Sequence, residues 1–238
     1  SFDEIHGVTS LSKQIKEDEL VTNNWGLYDK DLLNLAFDKY INLSETKDNF
    51  ALFLLTIGTH HPSGHYKTNI KYKDGTNEML NSVASSDYLI SKFIREILES
   101  PYKNETIIVL VSDHLAMRND AYNLLLKGER RNTFMIIDPN KLEKKAVNRK
   151  GSTLDIAPTI LPFIGYQGEI GLGRDLLSNN YNENEISKIH SNLNRWKTEI
   201  LEFWGFPVIN NYIQIILDEK KLKIDDREFN IPILVEID

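Results

Sequence analysis

Cysteine is absent from the 238-residue sequence. That excludes thiol nucleophiles, disulfides and cysteine-ligated zinc, and it suits an extracytoplasmic bacterial protein. Long hydrophobic runs are absent too. The longest, Phe50 to Ile57, has the length of a strand and falls far short of a bilayer span. The opening SFDEIHG has neither the basic nor the apolar region of a secretory signal, so the chain as written is expected to be soluble. Positive charge is in deficit: 28 Lys plus Arg stand against 35 Asp plus Glu, a formal charge of −7. A general nucleic-acid-binding role needs the opposite field, so no nucleic acid is expected among the partners. What remains is globular material, 41% hydrophobic and 26% charged, which excludes disordered, collagenous and disulfide-scaffold classes.

The order of elements reads as α/β. Asp29 to Leu43 puts Leu33, Ala36, Phe37, Tyr40 and Ile41 on one helical face behind an acidic start. ALFLLTIG (51–58) is a continuous apolar run, the pattern of a strand buried on both faces. After a polar loop at 59–78, a second helix is expected from about Glu78 to Glu99, stopping before Pro101. Its apolar stripe is Leu80, Val83, Ala84, Ile90, Ile94, Ile97 and Leu98. TIIVLVSD (106–113) and TFMIID (133–138) repeat the buried-strand pattern.

Residues 152–155 have the form of a capping box opening a helix through Ile164, shortened or bent by Pro158 and Pro162, with Gly165 as its C-cap. A last helix, about Glu183 to Phe203, carries Ile186, Ile189, Leu193, Trp196 and Ile200 on one stripe. Alternation of strands and helices predicts a largely parallel central sheet with helices on both faces. After Pro207, the segments Tyr212 to Leu217, Lys221 to Ile224 and Ile231 to Ile237 predict a small C-terminal antiparallel β extension. The expected division is therefore 1–207 and 208–238.

Two constellations carry chemistry. THHPSGH places His60, His61 and His65 in the loop after the 51–58 run, half of the six histidines in the chain. Pro62 and Gly64 break any helix joining His61 to His65, so helical metal-ligand spacing does not apply; a solvated polar turn is the plain alternative. Ser112-Asp113-His114 follows the apolar run Ile107 to Val111. An oxygen and a nitrogen donor together suit Mn²⁺ or Zn²⁺, whereas Mg²⁺ and Ca²⁺ prefer oxygen alone; a capping Asp beside a surface His is the alternative. In an open α/β sheet both loops gather at the carboxyl edge. A cation at Asp113 and His114 then faces an imidazole from His60 or His61, a pairing suited to phosphoryl-type transfer.

The motifs THHPSG, VSDHLAMRND, RRNTFMII, LDIAPTIL and GLGRDLL resemble, in order and spacing, the sulfatase-like branch of the alkaline-phosphatase superfamily. WGLYDKDLL (25–33), SDHLAM (112–117) and WKTEILEFWGFP (196–207) narrow the resemblance to the bacterial phosphoglycerol transferases of osmoregulated periplasmic glucan modification, with lipoteichoic acid synthase a more distant relative. The resemblance covers nearly the whole chain. It implies that phosphoglycerol is taken from phosphatidylglycerol, held on a threonine, and passed to a glucan hydroxyl. It implies Asp113 and His114 as metal ligands, usually for Mn²⁺, and His60 as a phosphate contact with His61 beside it.

In that family the nucleophilic threonine and a metal-binding glutamate lie upstream of the segment resembling SFDEIHG. These residues are therefore expected to be the C-terminal part of a larger enzyme, inactive alone and with no catalytic nucleophile of its own. The parent is expected to be anchored by N-terminal transmembrane helices in the inner membrane, facing the periplasm. A sulfatase or phosphodiesterase of the same superfamily, or a non-catalytic module binding a glucan or a partner, remain the alternatives. Arg118 is a further candidate for the phosphodiester, and Arg174 for an anion. Asp87 is weighed as a tether for the histidine loop, with a half-exposed helix position as the plainer reading.

Overall fold

A computed structural model of the protein describes residues 2–47, 49–141, 143–166, 168, 170–204, 213–224 and 227–231. The chain divides into two units, 1–146 with 163–165, and 147–162 with 166–238.

In the first unit, α1 (Val8–Leu11) and the paired strands β1 (Thr22–Asn23) and β2 (Gly26–Leu27) lead into α2 (Asp29–Thr46). Asp29 and Asp31 occupy the first turn of α2, where the helix dipole favours negative charge. α3 (Glu78–Glu99) starts at Asn77, whose side chain accepts the Leu80 amide, and stops at Ser100 before Pro101. Both helices match the sequence expectation. Their apolar faces meet: Leu33, Ala36 and Tyr40 of α2 cluster with Phe93 and Ile97 of α3, and Phe37, Leu54, Tyr102 and Ile108 pack around them. The Tyr40 hydroxyl shares hydrogen bonds with the hydroxyls of Ser100 (3.1 Å) and Thr106 (2.9 Å), which satisfies its polar tip inside that core.

β3 (Ile108–Val111) is brought against this cluster through Ile108. After α4 (Tyr122–Leu125) comes β4 (Phe134–Ile137), which pairs with β3 in antiparallel register from Ile108↔Ile137 to Val111↔Phe134. The alternating order of helices and strands is as expected. The parallel pairing is not seen: every ladder among the described residues is antiparallel. Alternation along a sequence fixes which segments extend, and leaves their neighbours and direction open.

Two further expectations change. Residues 51–57 form neither helix nor strand and pair with no strand among the described residues. Phe53 and Leu55 are 73% and 74% exposed, so the run is not buried on both faces. An apolar run reports what a segment needs covered, and the cover is not among the described residues. The second change concerns α3. Its first half buries Asn81, Ser82, Ser85 and Ser86, while Val83 of the expected stripe is exposed. This face meets an irregular loop whose backbone must be satisfied by side chains, which selects amide and hydroxyl groups over apolar ones.

In the second unit the Ser152–Asp155 capping box is present, followed by α5 (Ile156–Ile160). A 3₁₀ turn over Leu161–Ile164 then ends at Gly165 with φ +86°, as the two prolines and the glycine require. α6 (Glu183–Trp204) buries Ile186 and Ile189. β5 (Ile213–Ile216), β6 (Lys221–Ile224) and β7 (Arg227–Asn230) form a three-stranded antiparallel sheet in that order, the expected small C-terminal sheet. Leu222 and Ile224 of β6 point inward at period two. The β7 strand was not anticipated. The strand expected over Ile231 to Ile237 lies, apart from Ile231, outside the described residues.

Candidate functional site

The loop that carries His60 is folded by its own backbone and by the two helices beneath it. The amide of His60 donates to Ile57 O (3.0 Å), that of Gly64 to His60 O (2.9 Å), and that of His65 to Gly58 O (2.7 Å). Gly64 sits at φ +80°, which a residue with a side chain rarely adopts. From α2, the Asp29 carboxylate accepts the amides of Ile57 (2.8 Å) and Gly58 (3.1 and 3.0 Å) and the hydroxyl of Ser86 (3.2 Å). From α3, the Ser82 hydroxyl donates to Gly58 O. Asn81 accepts the Tyr72 amide (2.9 Å) and donates to Gly75 O (2.8 Å), so the same helix face also satisfies the far end of the loop. Burial pushes the Asp29 carboxyl above its ordinary value, and the bonds from Ile57, Gly58 and Ser86 partly offset that rise.

Four aromatic side chains gather on this support. The His60 ring lies 4.0 Å from that of Trp25, 4.4 Å from that of His61, on which it stacks, and 6.2 Å from that of His65. His60 is half-buried, and its Nδ1–H donates to His61 O (2.8 Å), which leaves Nε2 for a ligand. His65 Nε2 is buried with no hydrogen-bond partner among the described residues.

The Asp-His loop continues the β3–β4 pair by one step, through Ser112 N to Thr133 O (2.9 Å) and Thr133 N to Ser112 Oγ (3.0 Å). Asp113 and His114 then turn into solvent, with side chains 70% and 57% exposed. The carboxylate and imidazole sit side by side, Oδ2 to Nε2 3.6 Å, and the Nδ1–H of His114 donates to Leu115 O (2.8 Å). The loop's far end is tied to the histidine loop: Asp120 N donates to Pro62 O (3.0 Å), and Asn77 Nδ2 donates to Asp120 O (3.1 Å). Asn77 thus caps α3 with its oxygen and holds the second loop with its nitrogen.

The donor chemistry of Asp113 and His114 fits two positions of a mixed oxygen and nitrogen metal shell, with the second imidazole nitrogen fixed as ligating histidines require. Among the described residues no group of three or more His, Asp or Glu is placed to hold an ion. Arg118 is exposed with its guanidinium 5.9 Å from the Tyr122 ring centre, at the same distance as Arg130. Arg174 is committed within the second unit, its Nε to Glu185 (2.8 Å) and its amide to Asp155 (2.8 Å). Asp87 is exposed. The tether of the histidine loop is Asp29 with Ser82 and Ser86, whose spacing along α3 is the signal sequence reading passed over. Trp25 shows in the sequence only as part of WGLYDKDLL, and the fold sets it against His60.

The arrangement has known counterparts. A solved protein of the alkaline phosphatase superfamily from Vibrio parahaemolyticus superposes with a TM-score of 0.59 at 26% identity, over 73% of this chain and 42% of that one. The fold is that of the alkaline phosphatase superfamily, here with a small antiparallel sheet at the C-terminal end. Within it, residues 1–166 match the Sulfatase family, and the chain belongs to that family. It is 33% identical to phosphoglycerol transferase I of Shigella flexneri over 99% of its length, and 32% identical to that of Salmonella arizonae. It spans 32% of the length of each of those relatives. No helix among the described residues is long and apolar enough to cross a membrane.

Proposed function

We propose that the chain forms the C-terminal part, through about residue 207, of the catalytic domain of a phosphoglycerol transferase. In this reading phosphoglycerol passes from phosphatidylglycerol to a periplasmic glucan through a threonine-bound intermediate, at the periplasmic face of the inner membrane. The threonine comes from sequence outside these residues. The observation that carries the reading is the Asp120 N to Pro62 O hydrogen bond, which joins the Asp-His loop to the histidine loop. It is supported by the likeness to phosphoglycerol transferase I along nearly the whole chain.

Each residue then has a role. Asp113 and His114 hold a divalent cation, Mn²⁺ in this proposal, with the rest of its shell supplied from elsewhere. When bound, the cation supplies a positive charge against which an oxyanion develops. His60, with Nδ1–H committed to His61 O, turns Nε2 to the phosphate and on protonation donates a hydrogen bond to its oxygen. His61 backs His60 through the stacked ring. Arg118 lies on the same loop as Asp113, within reach of a lipid phosphodiester by rotation of its exposed side chain.

The test is a transfer assay with the complete gene product, phosphatidylglycerol labelled in its headgroup, and a glucan acceptor. Label on the glucan with none released to water, abolished by Asp113→Ala and His60→Ala, is the expected result. Free glycerol phosphate without glucan labelling identifies a hydrolase and overturns the transferase reading.

A further inference from the structure

A loop with no ladder must be held by something, and here two buried helix faces hold it. We propose that Asp29 is a positioning residue for His60: its carboxylate fixes the backbone at Ile57 and Gly58 and, through it, the imidazole turned toward the substrate phosphate. The last clause rests on the proposed function; the rest stands on geometry alone.

The backbone of Gly58 is gripped on both sides. Its amide lies between the two oxygens of Asp29, and its carbonyl takes the Ser82 hydroxyl and the His65 amide. The amide of His60 hangs from Ile57 O, so a shift at 57–58 carries directly to His60. There is no slack in the grip. A Cβ on Gly58 would collide with the Asp29 carboxylate and the Ser86 hydroxyl, and a Cβ on Gly64 would collide with Ser82. Asp29 is 3% exposed, and a buried carboxylate is a costly way to stabilise a core compared with an apolar residue of similar size. What a carboxylate does that an apolar residue cannot is accept several amides at once and fix their direction. Asparagine does this less well: its oxygen in the Oδ1 place still reaches the amides of Ile57 and Gly58, but its NH₂ in the Oδ2 place turns donors toward the Gly58 N–H.

The experiment uses the 238-residue chain as wild type, Asp29→Asn, Ser82→Ala, and Phe93→Leu as a core control. Amide exchange is read at Gly58, His60, Gly64 and His65, against core amides of α2 and α3, and the ¹⁵N signature of the His60 ring is recorded. Asp29→Asn is expected to speed exchange in the loop by about tenfold or more, with helix amides within about twofold of wild type. The His60 ring is expected to lose its fixed Nδ1–H form. If loop and core amides accelerate together in Asp29→Asn, as in Phe93→Leu, Asp29 is a stability residue and the proposal falls. Should Asp29→Asn fail to fold, Ser82→Ala decides, since it removes one bond to Gly58 and no buried charge: local acceleration supports the proposal, and none overturns it. A parallel titration of the complete gene product with glycerol phosphate, followed at the His60 ring, addresses the proposed function. Absence of binding by the complete gene product counts against that reading and leaves the exchange result to judge Asp29.

Discussion

Both carboxylate oxygens of Asp29 lie on the amide of Gly58, at 3.1 and 3.0 Å. The residue sits in the first turn of α2, so the helix that builds the core also aims the histidine loop. Support of the histidine loop and packing of the core are thereby joined at one buried carboxylate.

That charge has a pH signature. Asp29 is an acid whose folded pKa is raised above its ordinary value of 3.8 by burial. Its proton is therefore bound more tightly in the folded chain. The resulting stabilisation is fully present below pH 3.8 and is lost as pH rises through the folded value. Asp29→Asn has no such proton. The difference in unfolding free energy, wild type minus variant, is expected to shrink with rising pH across that window and then to stay flat. Urea melts of both proteins at several pH values measure it, and a difference that grows with pH contradicts the assignment.

Asn77 gives a second separable prediction. Asn77→Ala removes the α3 cap and the bond to Asp120 together, and should cost about 1 kcal/mol for the cap alone. Asn77→Asp keeps an oxygen for the Leu80 amide and loses the donor to Asp120. Its melting temperature is expected to stay near wild type, while amide exchange at Asp120 and Ala121 quickens. Equal loss of stability in both variants would mean that the link between the loops is worth more than the cap.

Much of this was legible in the sequence. The spacing of Leu33, Ala36 and Tyr40, the stop before Pro101 and the 152–155 capping box all depend on local chemistry, and all appear as read. The histidine and Asp-His motifs were visible as motifs. What held them was not. Ser82 and Ser86 looked like the polar side of an amphipathic helix, because sequence shows which residues are polar and not which backbone amides lack a partner. Asp29 looked like a helix-start acid, a role that it also fills. The run at 51–58 misleads for a related reason: an apolar run shows a need for cover, and the covering partner is a long-range fact.

That need remains exposed. Phe53 and Leu55 border an apolar groove of about 530 Å³ shared with Ile5, Trp25 and Leu32. The double variant Phe53→Ser/Leu55→Ser is expected to bind less hydrophobic dye and to self-associate less in sedimentation. Both side chains are mostly exposed, so stability should change by no more than about 0.5 kcal/mol each. A large fall in melting temperature would show that these side chains are buried in solution.

The joint use of Asp113, His114 and His60 around one cation is tested most directly by paramagnetic broadening with substoichiometric Mn²⁺, recorded at labelled Asp and His residues of the complete gene product, which supplies the rest of the shell. Selective broadening of Asp113, His114 and the His60 ring, abolished by Asp113→Ala, is the expected result. Broadening confined to other surface carboxylates, or reaching His114 while leaving His60 sharp, would contradict it.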